Sequence, residues 1–167
     1  MRIRPEAPGD EAAIGALTAA AFDGHPYSDG SEPQIIERLR RLGKLTLSLV
    51  AEEDGQIVGH VAFSPMTLSG GEGGWYGLGP ISVAPNRQRS GIGSALMREG
   101  LTKLEALGAS GVALVGDPAY YNRFGFACRP QLTTTGVPAE YFLVLPLHGE
   151  VPSGMVAFHP AFFGDAA

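Results

Sequence analysis

The run Ile81-Ser82-Val83-Ala84-Pro85-Asn86-Arg87-Gln88-Arg89-Ser90-Gly91-Ile92-Gly93-Ser94-Ala95-Leu96 holds the residue types most able to do chemistry. It reads as an apolar strand stopped by Pro85, a polar loop with two arginines, and a pair of glycines where a long helix begins. Glycine lets the backbone approach a ligand closely, and the amides of a helix's first turn have no partner inside the helix. The positive end of the helix dipole, with Arg87 or Arg89 beside it, favours phosphate or pyrophosphate. The chemistry of this stretch is therefore anion binding.

Two common phosphate motifs do not fit. A Walker loop needs a lysine followed by serine or threonine after its last glycine, and no such pair occurs here. A dinucleotide fingerprint needs a third glycine or alanine where Leu96 stands, and no long polar connection before it. A second stretch, Tyr120-Tyr121-Asn122-Arg123-Phe124-Gly125-Phe126, brings two phenols. A phenol with an ordinary pKa near 10 keeps its proton at neutral pH and can offer it to a leaving group.

Together the two stretches resemble the signatures of the GNAT family of N-acetyltransferases. Gln88-Arg89-Ser90-Gly91-Ile92-Gly93 matches its Gln or Arg, two residues, Gly, one residue, Gly or Ala, and Val83-Ala84-Pro85 matches its upstream Val-x-Pro. The tyrosine pair ahead of Gly125-Phe126 matches its downstream motif. The resemblance implies a mixed α/β (α+β) fold, a single domain over residues 1–167 whose central twisted sheet is flanked by helices and splayed between its fourth and fifth strands. It implies acetyl-CoA as cosubstrate and direct attack of a primary amine on the thioester in a ternary complex.

In that reading the pyrophosphate rests on the amides of Arg89, Ser90, Gly91, Ile92, Gly93 and Ser94, with Gln88 leading the loop. The pantetheine arm lies along Ile81, Ser82 and Val83 like an added strand, and an amide near Ile81 or Ser82 stabilises the oxyanion. Tyr121 takes the place of the general acid, Tyr120 then faces the core, and Asn122 is a further cofactor contact. The acceptor is a small-molecule or peptide amine, and a homodimer is a family-level expectation.

Two departures stand out. Where relatives carry Asn at the end of the fifth strand, this chain reads Gly116-Asp117-Pro118. Where they carry a glutamate base on the fourth strand, Trp75 to Val83 has no carboxylate. Glu72, His60, His25 and Tyr27 are the remaining groups to weigh as a base, with His60 read first as a structural histidine. The missing carboxylate keeps open a non-catalytic acyl-CoA-binding sensor, and a module for another nucleotide is the other alternative.

The elements that must position these residues follow from periodicity. Met1 to Pro5 alternates as a strand. A helix runs from a cap at Asp10 through Ile14 and Leu17 to Phe22. A second, capped by Ser31, carries Ile35, Ile36 and Leu39 on one face and stops at Gly43. Leu45 to Glu52 and Gln56 to Phe63 form a hairpin around Asp54-Gly55. Trp75 to Val83 is the fourth strand, with Gly77 and Gly79 suited to a bulge. The long helix spans Gly91 to Leu107, and a buried strand follows over Gly111 to Val115. Pro118 to Phe124 suits a short helix, and Tyr141 to Leu147 and Gly154 to His159 are further strands.

Composition bounds the rest. The chain has 167 residues, a formal net charge of −5 and one cysteine. The acidic balance lacks the broad positive field of sequence-independent nucleic-acid binding, so no nucleic-acid partner is expected. Cys128 alone builds neither disulfides nor a cysteine-rich zinc site, and is read as a small core hydrophobe. His148 and His159 have no second ligand at metal spacing, so no metal is expected. Met1 to Glu6 has no signal-peptide pattern and the longest apolar runs are short, so the expectation is a cytoplasmic protein with no membrane span.

Overall fold

In the computed structural model, which describes residues 1–164, the alternating segments form β1 (Arg2–Pro5), β2 (Leu47–Glu53) and β3 (Gln56–Pro65). Both neighbouring pairs are antiparallel. The hairpin turns at Asp54 and Gly55, with φ of 50° and 76°, the left-handed pair whose twist matches the flanking strands.

Between β1 and β2 lie α1 (Glu11–Phe22) and α2 (Glu32–Arg41). Neither expected side-chain cap forms. The Asp10 carboxylate is taken by Arg4 and by the Ala7 amide, each at 2.7 Å, and the Ser31 hydroxyl donates to Asp29 at 2.5 Å. Nearby local partners outcompete the helix amides at both positions.

The chain continues through β4 (Thr67–Leu68), β5 (Trp75–Val83), α3 (Ile92–Ala106), β6 (Gly111–Val115), α4 (Pro118–Tyr121), β7 (Leu132–Thr133), β8 (Phe142–Pro146) and β9 (Gly154–Ala157). One sheet has the order β1-β2-β3-β5-β6-β8, and a smaller one the order β4-β9-β7. The large sheet is mixed: β5 and β6 are parallel, whereas β6 and β8 are antiparallel. The fourth and fifth strands of the sequence reading are β5 and β6 here, because two-residue β4 is too short to show a period.

β5 and β6 share only the register Trp75–Gly77 with Gly111–Ala113, although β5 has 9 residues and β6 has 5. The ladder stops where Gly79 takes φ +137° and Pro80 removes a donor. Gly77 has a different role from the expected bulge. A Cβ there would lie 2.8 Å from Phe158 Cδ1, so this glycine makes room for a ring.

The described residues divide into two compact units, one holding residues 1–64, 79–101 and 160–164, the other residues 65–78 and 102–159. In the first, Ile14, Ile36 and Val50 form one buried cluster, and Ile35, Leu39 and Ala161 another. Gly59 of β3 lets α3 come close, since a Cβ there would stand 2.7 Å from Ile92 Cγ2. In the second, Met66, Leu68, Trp75, Ala113, Leu132, Phe142, Val144 and Val156 pack together.

One reading changes in the second unit, that of Cys128. β8 and β9 do not pair with each other: β8 joins β6, and β9 lies between β4 and β7. Cys128 is exposed rather than in the core, and its thiol donates to the Ala139 carbonyl at 3.3 Å.

Candidate active site

In the first unit, β5 ends as Ala84 N donates to Val58 O at 2.8 Å. Pro85–Arg87 then makes one 3-10 turn, and the Gln88 side-chain amide returns to donate to Val83 O at 3.2 Å. The Ser90 hydroxyl donates to Arg87 O. Arg89 at φ +65° and Gly91 at φ +89° turn the backbone twice into the left-handed region, the kind of curvature that gathers amides into an anion-binding concavity. For Arg89 this conformation costs about 1 kcal/mol, a local strain typical of ligand-binding loops.

Ala95 N donates to Gly91 O at 3.0 Å, which places Gly91 at the start of α3 and the following amides in its first turn. Gln88, Arg89, Ser90 and Gly91 are exposed, Gly93 and Ser94 half-buried, and Ile92 buried. The last of these anchors the loop while its neighbours face outward. Arg87 is held by Glu53, Nη2 to Oε1 at 2.5 Å, so Arg89 is the more accessible loop cation. Ile81 and Val83 are half-buried and Ser82 is buried, as an alternating strand demands.

Tyr121 and Asn122 belong to the second unit. The Asp117 side chain caps α4 by accepting from Ala119 N at 2.9 Å, and Gly125 stops the following 3-10 turn at φ +96°. Asn122 is exposed, with its carbonyl accepting from Gly125 N at 3.0 Å.

Tyr120 does not face the core as expected. It is half-buried and carries the Arg123 guanidinium 4.5 Å above its ring. Tyr121, half-buried as well, is the tyrosine whose ring packs against buried Phe126, at a centroid separation of 6.3 Å. Burial, with smaller contributions from Tyr120 and Asp117, pushes its phenol up to about 12. Tyr121 is thus a permanent proton carrier at neutral pH. Gly116, which periodicity could not flag, leaves room for this ring: a Cβ there would lie 2.9 Å from Tyr121 Cδ2.

His60 is fully buried, with Nε2 2.8 Å from Ser48 Oγ. Burial drives its pKa down to about 4, against the opposing pull of Glu6. It is a neutral, weakly basic histidine at pH 7, enclosed in the protein. Unfolded, it titrates near 6.5, so between pH 6.5 and 4 the unfolded chain binds more protons than the folded one. Its contribution is complete above pH 6.5 and is lost as the pH falls to 4. That gap of about 2.5 pH units corresponds to about 3 kcal/mol. His60→Leu is expected to flatten stability against pH over that window in denaturant titrations; an unchanged slope contradicts the assignment.

Glu72 is exposed. His25 and exposed Tyr27 stand 6.0 Å apart, ring to ring, in the α1–α2 loop. Phe22, Asp23, His25 and Glu32 line a cavity of about 330 Å³ there. Among the described residues no group of His, Cys, Asp and Glu is placed to hold a metal, and no helix is long and apolar enough to cross a membrane.

The family profile described as "Acetyltransferase (GNAT) domain" matches residues 2–129, well over half the chain. This chain belongs to the GNAT acetyltransferase family. It is 42% identical over 171 residues to the Escherichia coli K12 protein named "Uncharacterized N-acetyltransferase YhbS", covering 97% of this chain and 98% of that one. The structure is similar to a GNAT family acetyltransferase from Brucella melitensis solved in complex with acetyl-CoA, with a TM-score of 0.87 and 50% identity, covering 96% of this chain and 97% of that one. It is also similar to the Escherichia coli YhbS structure solved in complex with CoA, with a TM-score of 0.89 and 34% identity over 99% and 93% of the two chains.

Proposed function

We propose that this GNAT enzyme binds acetyl-CoA and transfers its acetyl group to a primary amine by direct attack in a ternary complex. The observation that carries the proposal is the loop Gln88–Ser94. It has left-handed backbone at Arg89 and Gly91, an exposed Arg89, and the start of a 15-residue helix. These features suit a pyrophosphate, whose charge they meet with amides and a helix dipole.

The pantetheine arm lies along Ile81, Ser82 and Val83, and an amide of that stretch polarises the thioester carbonyl. The neutral amine attacks the carbonyl carbon, the C–S bond breaks as the tetrahedral adduct collapses, and the amine's proton passes to solvent, leaving the acetylated amide and the CoA thiolate. Tyr121 donates to the sulfur as charge develops on it. A phenol near 12 holds its proton more tightly than an ordinary thiol near 8.5, so this is chiefly a hydrogen bond to the departing thiolate. Asn122 is a further cofactor contact. The bound donors of the Brucella and Escherichia coli relatives support this reading. Asp23 and Glu32 at the α1–α2 cavity suit a cationic acceptor.

Titration calorimetry tests the donor half. Acetyl-CoA and CoA are expected to bind at micromolar concentration and ADP more weakly. No binding of either thioester or thiol removes the proposal, and ADP binding as tightly as CoA points to another nucleotide.

A further inference from the structure

The first unit contains a line of half-buried and buried polar groups that the reaction above does not use. Arg40 holds Glu6 through Nε at 2.8 Å and Nη2 at 3.0 Å. The Ser48 hydroxyl donates to the same carboxylate, and His60 Nε2 lies 2.8 Å from Ser48 Oγ. Ser48, His60 and Ser82 are 8%, 0% and 2% exposed.

The protons along this line can be assigned. Burial works against the Glu6 charge, but the bonds from Arg40 and Ser48 outweigh it and hold the carboxyl below its usual range. An ionised carboxylate only accepts, so the single hydroxyl proton of Ser48 is committed to it. Ser48 Oγ must then accept from His60 Nε2–H. His60 is therefore the Nε2–H tautomer, and its Nδ1 carries a lone pair.

That lone pair has no hydrogen-bond partner among the described residues, and neither has Ser82 Oγ. The bond from Ala84 N to Val58 O sets the antiparallel register of β3 and β5 at this end. Stepping along both strands from it puts His60 opposite Ser82 on one face of the sheet. One buried group is an acceptor and the other can donate. Side chains so opposed stand about 5 Å apart at Cβ, and buried polar groups are seldom left unsatisfied.

We propose that one enclosed water joins the Ser82 hydroxyl to His60 Nδ1, completing a line from Arg40 through Glu6, Ser48 and His60 to β5. The water accepts from Ser82 and donates to His60, so both buried atoms are satisfied. The line ties down the part of β5 that presents Ile81 and Ser82, and His60 is a positioning residue for that strand. The water site stands on the geometry alone; the effect on catalysis rests on the proposed function.

A double-mutant cycle tests it. Ser82→Ala is expected to raise the unfolding equilibrium constant about fivefold, the effect of breaking one buried hydrogen bond. In a His60→Leu background the same change is expected to have little effect; should that background not fold, His60→Phe serves. If Ser82→Ala is neutral or stabilising, its hydroxyl was unpaired and the water site is overturned. Equal effects in both backgrounds overturn it as well.

For the positioning role, Ser82→Ala is expected to lower kcat severalfold while acetyl-CoA affinity stays within twofold. An unchanged kcat, or a change in KM alone, overturns that role. A wild-type protein that acetylates no amine overturns the proposed function and the positioning role with it, while the stability cycle still decides the water site.

Discussion

Gly93→Val is expected to weaken acetyl-CoA binding at least a hundredfold and leave the protein folded. Gly93 is a half-buried residue in the first turn of α3, with no left-handed φ that would forbid a side chain. Valine is a better helix former than glycine by a few tenths of a kcal/mol, so thermal unfolding is expected to shift little. A pyrophosphate lying on the first-turn amides, however, has to approach the Cα of this residue. A valine side chain pushes it away from at least two charge-assisted hydrogen bonds, each worth about 1.5 kcal/mol or more. At about 1.4 kcal/mol per tenfold, their loss exceeds a factor of a hundred. Gly91, at φ +89°, makes a poorer test because any side chain there also strains the loop. Calorimetry reads the result, and wild-type affinity in a folded Gly93→Val protein removes the donor from this loop.

Tyr121→Phe is expected to lower kcat by about two orders of magnitude, the usual effect of deleting one donor to a developing negative charge. Acetyl-CoA affinity is expected to hold, because the hydroxyl matters when the sulfur acquires charge and not before. The phenol is already protonated throughout the neutral range, its pKa pushed to about 12, so no loss of its proton limits the rate near pH 7. Gly116→Ala supplies an independent perturbation, since the added methyl displaces the Tyr121 ring without removing the hydroxyl. It too is expected to lower kcat, and its effect is expected to shrink in the Tyr121→Phe background, as for groups acting as one unit. Equal turnover by wild type and Tyr121→Phe rules out the donor role.

The parts of this molecule legible in its sequence are those with a strong period or a positional glycine. β5 and β6 have the bounds that their apolar runs suggest, and α3 differs from its expected span by about a residue at each end. Gly91, Gly108 and Gly125 all take positive φ at helix junctions. The caps at Asp10 and Ser31 were misread because a side-chain oxygen has one best partner, and Arg4 and Asp29 are brought close by the chain's path. Two-residue β4 and β7 are too short to carry a period, so the partners of β9 were hidden too.

At the site, the loop from Gln88 to Ser94 was readable because its chemistry lies in consecutive residues. The packing of the Tyr121 ring, and not that of Tyr120, depends on Gly116 and Phe126, whose role no local pattern announces. The line from Arg40 to His60 was equally silent. Its members come from α2, β2, β3 and the residue that follows β1, and only folding brings Glu6 beside Ser48 and Arg40.

The most direct measurement is acetyl transfer itself, followed as CoA thiol release and by mass spectrometry of a broad panel of primary amines incubated with acetyl-CoA. The account predicts that at least one amine gains an acetyl group, with one CoA released for each product formed and with loss of both signals in Gly93→Val. Binding of acetyl-CoA with no amine acetylated, and CoA released no faster than in buffer, contradicts it and leaves an acyl-CoA-binding protein that does not catalyse transfer.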